Sequence, residues 1–308
     1  MAGKVRHTFS TAPMSFQSVQ HIWQGGIFTF TMEKKRMLFP VSGSLLVGYR
    51  TWLTPGSATG MSALVSWLSS NNYRLYHDTT SSIRTTNTGL WFLASDEFEE
   101  WLSSAHGVLW VTGMPGAGKT VLASHSVDHL VANVVPAGTT NVALTYVYCR
   151  YLDNCKAGHI LRSLIHQLVE DHRRAYSIVR SVFEDHKLRQ VQLTDSRAAD
   201  LLGNILRLFE KAFIIIDGLD EVPEIEKSKV LLYIRKLPAH RLIFSRPMTF
   251  YMDLLPSATL SIEARNADIE IFVLDRINSH PRLQRLLQHS ETLVQEVTSR
   301  IQRKASGM

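Results

Sequence analysis

Apolar and polar positions along the chain fall into blocks that switch between two periods. Residues 108–112 (VLWVT) form a short apolar run that suits a buried strand. The LASHSVDHL segment that follows soon after repeats at helical spacing. Residues 141–148 (NVALTYVY) are β-branched and aromatic and predict a second strand. Residues 159–170 carry apolar side chains at Ile160, Leu161, Leu164, Ile165 and Leu168 and predict an amphipathic helix, and residues 198–209 repeat that pattern. A continuous buried strand is predicted at 212–216, a helix at 227–235, a strand at 240–244, a weaker strand at 258–262 and a helix at 268–278. Strands alternating with helices predict a parallel sheet covered on both faces, an α/β architecture.

Upstream, SALVSWLSS (residues 62–70) is helix-like, and the Ser, Thr and Asn residues of 79–88 read as a linker. Residues 95–101 combine a capping Ser95, early acids and the pair Phe98 and Trp101, a short amphipathic helix. Residues 1–60 keep neither period and predict no element. No repeat of solenoid length occurs.

Between the first strand and its helix lies Gly113-Met114-Pro115-Gly116-Ala117-Gly118-Lys119-Thr120, the complete G-x-x-x-x-G-K-[ST] pattern, followed by Val121. Glycines let the main chain double back with its N–H groups facing inward, and a helix N-terminus adds a positive dipole end, so the segment is an anion cradle. Lys119 supplies a point charge for β- and γ-phosphates and the Thr120 hydroxyl one coordination position on Mg²⁺. A second cluster ends the 212–216 strand, with Asp217, Asp220 and Glu221 within five residues. A buried strand delivers its terminal carboxylate to the sheet edge where ligands bind, which assigns Asp217 to Mg²⁺, directly or through a water. Asp220 or Glu221, with Glu221 favoured, then orients or deprotonates an attacking water; the competing reading is a solvated acidic turn. The 240–244 strand ends in Ser245-Arg246-Pro247, where a guanidinium suits γ-phosphate oxygens.

Composition trims the alternatives. A chain of 308 residues with 45% hydrophobic content can bury a sizeable core and is not disordered as a whole. Two cysteines, Cys149 and Cys155, provide no disulfide framework and no zinc site, which fits a reducing, cytoplasmic setting. Residues 37–49 are apolar-rich but interrupted, short of the about 20 residues that span a bilayer, and no secretory leader is evident, so no membrane association is expected. The net charge of +6 resides mostly in residues 1–66, with six basic side chains against Glu33, and the short Lys34-Lys35-Arg36 run is too small for a nucleic-acid stripe; no nucleic-acid partner is expected. His159, His166 and His172 lack a fourth metal ligand and read as ordinary helix residues, Cys149 reads as core without a base partner, and Trp91, Phe92, Phe98 and Trp101 read as packing, with adenine contact as the alternative.

The order GMPGAGKT, IIIDGLDE, LIFSRP resembles the NACHT branch of the STAND class of signalling P-loop NTPases, and within it the nephrocystin-type N-terminal module of fungal multidomain proteins. Supporting residues are Thr88-Gly89-Leu90-Trp91, Phe98 and Trp101, Tyr148-Cys149-Arg150-Tyr151, residues 161–168 and Ala267-Asp268-Ile269. By position, the resemblance implies Lys119 and Thr120 as the phosphate-loop pair, Asp217 as the magnesium acid, Asp220 and Glu221 as the extra acids and Arg246 as a sensor. It implies strand order 5-1-4-3-2, with the sensor strand between the phosphate-loop strand and the Asp217 strand. ATP rather than GTP is implied, and no Asn-Lys-x-Asp guanine motif occurs. The division is then an unassigned, irregular or disordered segment at 1–60, a helical lead-in at 61–104, the NTPase core at 105–265 and the start of a C-terminal helical region at 266–308, with the chain expected to be truncated relative to its relatives. The expected function is an ATP- and Mg²⁺-binding switch with slow or no hydrolysis, occupied by ATP or ADP, with protein partners engaged through regions outside this chain and a nucleotide-dependent oligomer. The alternatives are a small-molecule phosphotransferase and a nucleotide-binding scaffold without hydrolysis.

Overall fold

In a computed structural model of the protein, the described residues are 22–24, 27–32, 35–40 and 55–305, the last apart from 69–70, 136–138, 154, 190, 192, 249–255 and 288–289. Two units emerge, residues 1–49 and 50–308. In the first, β1 (Ile22–Gln24), β2 (Ile27–Met32) and β3 (Lys35–Pro40) form an antiparallel sheet in sequence order, with Trp23 opposite Phe28 and Phe30 opposite Met37. The sequence pattern predicted no element there, because pieces of three to six residues are too short to display a period. Residues 41–49 of the apolar-rich stretch lie outside the described residues.

The second unit opens with α1 (Pro55–Leu68), α2 (Tyr73–Ile83), α3 (Leu90–Leu93) and α4 (Asp96–Ser103). Helix α4 starts as expected, with Ser95 accepting from the Phe98 N–H and Asp96, Glu97 and Glu99 at the positive end of the helix dipole. Helix α2 runs into the segment read as a linker. Its Thr79, Thr80 and Ser82 hydroxyls donate to the carbonyls of Leu75, Tyr76 and Thr79, so residues that usually favour turns satisfy themselves inside a helix.

The core follows as β4 (Val108–Gly113), α5 (Lys119–Asn133), β5 (Val142–Tyr148), α6 (Ala157–Asp171), α7 (Arg173–Arg189), α8 (Asp195–Leu206), β6 (Lys211–Asp217), α9 (Glu224–Ile234), β7 (His240–Ser245) and β8 (Ala258–Ile262). The five strands form a parallel sheet in the order β5-β6-β7-β4-β8, the implied 5-1-4-3-2 arrangement. Strand β7 is buried along its whole length and β6 along all but its first residue; Ala212–Ile216 of β6 reads as an unbroken apolar run, whereas β7 keeps only Leu242–Phe244 apolar between buried polar residues. Edge strand β8 alternates exposed and covered residues, which is why its signal was the weakest. The chain ends in α10 (Asn266–Ser279), α11 (Pro281–Leu287) and α12 (Glu291–Ala305). Among the described residues no helix is long and apolar enough to cross a membrane.

Two buried polar pins fix β7 against its neighbours. Trp110 of β4 donates its indole N–H to Ser245 Oγ at 2.8 Å. Arg241 donates to the carbonyls of Ile234 and Arg235 at the C-terminus of α9 and to His106 O, so a guanidinium sits where last-turn carbonyls need donors.

Candidate functional site

The sheet brings the C-terminal ends of β4, β6 and β7 side by side. Strand β4 ends at Gly113, where an added Cβ would lie 2.8 Å from Ile262 O of β8; only glycine lets the two strands finish this close. Gly116 and Gly118 have φ of 87° and 90°, and with left-handed glycines on either side of Ala117 the loop coils back on itself. Lys119, the first residue of α5, folds over this loop and donates from Nζ to Gly113 O (2.7 Å) and Met114 O (2.9 Å). Met114, Pro115 and Gly116 are exposed, Ala117 is buried, and Thr120 and Val121 lie half-buried in the first turn of α5. The first N–H groups of that helix have no intrahelical acceptor, as at any helix start.

Strand β6 delivers Asp217, 4% exposed, to the same place, where the Thr120 hydroxyl stands close enough to favour its charged form. One carboxylate oxygen, Oδ1, is buried without a hydrogen-bond partner. Burial pushes the Asp217 carboxyl up to about 7 against the opposing pull of Thr120 and Lys119, with Glu221 and Asp220 pushing further upward. Burial also lowers Lys119, while Asp220, Asp217 and Glu221 oppose that and Arg246 reinforces it. The charges of Asp220 and Glu221 thus act on both Lys119 and Asp217, and that of Arg246 acts on Lys119.

The remaining acids are engaged. Asp220 accepts from the Arg246 backbone N–H at 3.0 Å and pairs with its Nε at 3.0 Å, so Arg246, 55% exposed, leans onto Asp220. Glu221 accepts from the Tyr151 N–H at 2.9 Å across the sheet edge. Between Asp217 and these two acids, Gly218 at φ 74° lets the chain turn, and a Cβ there would lie 2.4 Å from Cys149 O.

Sequence reasoning passed over two features. Asp268, at the start of α10, accepts from the Gly89 N–H (3.1 Å) and the Trp91 indole N–H (2.9 Å), fastening the lead-in beside α5, while the Arg265 guanidinium lies 3.5 Å over the Trp91 ring. Phe92, Phe98 and Trp101 are buried and pack ring on ring, Phe98 lying 5.2 and 5.3 Å from the other two. His77, in the segment read only as leading to a linker, joins a buried network with Asp128 and Tyr148: its Nδ1 meets the Tyr148 hydroxyl at 2.7 Å and its Nε2 meets Asp128 Oδ1 at 3.0 Å. No spacing rule connects residues so far apart in sequence. A cleft of about 380 Å³ lined by Tyr73, Tyr76, Tyr148, Arg150 and Asp153 opens beside edge strand β5 and includes none of the phosphate-loop residues.

The family described as Nephrocystin 3, N-terminal matches residues 87–246 of this chain, from the residue before Thr88 through Arg246. The vegetative incompatibility protein HET-E-1 of Podospora anserina is 24% identical over 240 residues, which is 70% of this chain but only 17% of the length of that protein. Among solved structures, the ADP form of the Aeropyrum pernix ORC2 protein aligns over 64% of this chain and 53% of its own, at 17% identity and a TM-score of 0.42. C. elegans PCH-2 aligns over 73% and 48% at 13% identity, with a TM-score of 0.29. Because the family match covers more than half of the chain and spans all three strand-end motifs, this chain belongs to the nephrocystin 3 N-terminal family and carries a NACHT-type P-loop module.

Proposed function

We propose that the chain binds ATP with Mg²⁺ and acts as a NACHT-type switch whose hydrolysis is slow or absent. The observation that carries this reading is the orphaned, buried Oδ1 of Asp217 beside the Thr120 hydroxyl, at the mouth of the glycine loop. A buried polar atom without a partner costs free energy unless a ligand completes it, and a hard cation held by one hydroxyl and one carboxylate suits this donor set. The metal would neutralise phosphate charge. Lys119 would leave the Gly113 and Met114 carbonyls for phosphate oxygens, the loop from Gly113 to Val121 would wrap the phosphates with the backbone N–H groups of its residues other than Pro115, and Arg246 would exchange Asp220 for the γ-phosphate. Two readouts of the terminal phosphate, Lys119 at the start of α5 and Arg246 just past the end of β7, would then reach it from separate elements, the layout of an order or orientation switch.

The engagement of Glu221 by Tyr151 favours a second reading, a nucleotide-binding scaffold without hydrolysis, because a carboxylate that accepts from a main-chain N–H is less free to take a proton from water. Fluorescent-ATP titration with Mg²⁺ tests the leading reading. Lys119→Ala is expected to lose about 30- to 100-fold in affinity, the equivalent of about 2–3 kcal/mol for a charged hydrogen-bonding contact. Equal affinity for both proteins overturns it. Phosphate release from wild type that disappears in Glu221→Gln separates the switch from the scaffold.

A further inference from the structure

The only two cysteines of the chain meet. Cys149 follows β5 and Cys155 precedes α6, both are free, and each is 3% exposed. Each thiol stands close enough to influence the other, Tyr73 borders Cys155, and Cys155 Sγ lies 3.9 Å from the carbonyl of Arg150, the residue next to Cys149. Tyr73, which borders Cys155, and Arg150, which follows Cys149 in sequence, line the cleft beside β5, so the pair stands next to that opening. The same main chain touches the phosphate site. Cys149 N–H donates to Asp217 O at 2.8 Å, Cys149 O abuts Gly218, and Tyr151 N–H holds Glu221.

We propose that Cys149 and Cys155 form a peroxide-sensitive dithiol whose oxidation to an intramolecular disulfide loosens the Tyr151 hold on Glu221. Cys155 is the attacking sulfur, because it stands just ahead of the N-terminus of α6, whose positive dipole end favours a thiolate, whereas Cys149 directly follows buried strand β5. The Cys155 thiolate attacks one peroxide oxygen and the O–O bond breaks, leaving Cys155 as a sulfenic acid and releasing hydroxide, which takes up the proton that Cys155 had lost. The Cys149 sulfur then attacks the Cys155 sulfur and the S–O bond breaks, and the departing hydroxide takes the Cys149 proton. Two thiols are oxidised, one peroxide is reduced and two waters leave. The two sulfurs must draw together to bond, and the turn Tyr151–Asp153 between them, with Tyr151 81% and Leu152 89% exposed, is the segment that would have to move.

The full chain, reduced, desalted and treated with hydrogen peroxide, is expected to yield on non-reducing digestion one cross-linked peptide pair joining Cys149 to Cys155, two hydrogens lighter and reversed by dithiothreitol. Cys149→Ser is expected to stop at a Cys155 sulfenic acid that a dimedone probe labels, and Cys155→Ser to stay unlabelled over the same time. Thiols that remain reduced in wild type, a disulfide between two chains, or faster labelling of Cys149 in Cys155→Ser each overturn the proposal; should both variants fail to fold, the wild-type peptide map alone decides. The coupling to Glu221 rests on the nucleotide reading above. Oxidised wild type is expected to differ severalfold from reduced wild type in phosphate release or fluorescent-ATP affinity, and equality in both overturns the coupling. Failure of reduced wild type to bind nucleotide at all would sink the functional reading and leave the peptide map standing.

Discussion

Helix α5 borders two buried polar clusters that differ in one respect. At its N-terminus, Thr120 meets Asp217, whose Oδ1 has no partner. Along the same helix, Ser124 and Asp128 meet His77, Ser81, Arg84 and Tyr148, and there the bonding is complete. Asp128 takes His77 on Oδ1 and Arg84 with Ser81 on Oδ2, while Ser124 takes Ser81 and Arg84. Burial works against the charge of Asp128, yet the bonds from His77 and Arg84 hold its carboxyl below the usual range; Asp217, with only Thr120 and Lys119, rises to about 7. The contrast separates a polar cluster that is satisfied within the chain and clamps α2 to α5 from one that leaves a buried carboxylate oxygen unpaired.

The largest test of this contrast is Asp217→Asn. The folded value of Asp217 lies above its unfolded value of 3.8, so the folded protein binds the extra proton between about pH 4 and 7, and stability falls as pH rises through that window. In nucleotide-free protein the variant is therefore expected to gain on the order of 2–4 kcal/mol over wild type at pH 8 and nothing near pH 4, measured by urea unfolding. His172 and His240, both lowered to about 4 by burial, tilt stability the other way between about pH 4 and 6.5, but they are common to both proteins and cancel in the difference. A constant difference across pH would erase the distinction between the clusters.

Next in size is Asp128→Ala, which strands the buried His77 and Arg84. It is expected to cost about 1–3 kcal/mol in stability while nucleotide affinity changes less than about threefold. A large loss of affinity at unchanged stability would show that the complete cluster belongs to the site after all. The smallest effect is expected for Asp220→Ala. Its partner Arg246 is more than half exposed, so stability should move by less than about 1 kcal/mol, and a release of Arg246 would be read as tighter binding of ATP relative to ADP.

Much of this was legible in the chain because its signals are local. The run from Lys211 to Asp217, the loop from Gly113 to Thr120 and the cap at Ser95 each carry their meaning within a few residues. Helix α7 went unread because it buries only Ala175, Tyr176, Val179 and His186 among many charges, too narrow a stripe to register as periodic. The engagement of Glu221 by Tyr151, of Arg246 by Asp220 and of Trp91 by Asp268 depends on which loops the sheet order brings together, which spacing alone does not encode.

The bond from Trp110 to Ser245 has a mechanical corollary. Ser245 is tied to the strand that carries the glycine loop, and its own hydroxyl donates to Arg246 O at 2.8 Å, so the main chain that bears the arginine is locked in step with that loop. On the proposed reading, Arg246 would answer a phosphate by swinging its own long arm away from Asp220, without any sliding of the ribbon beneath it.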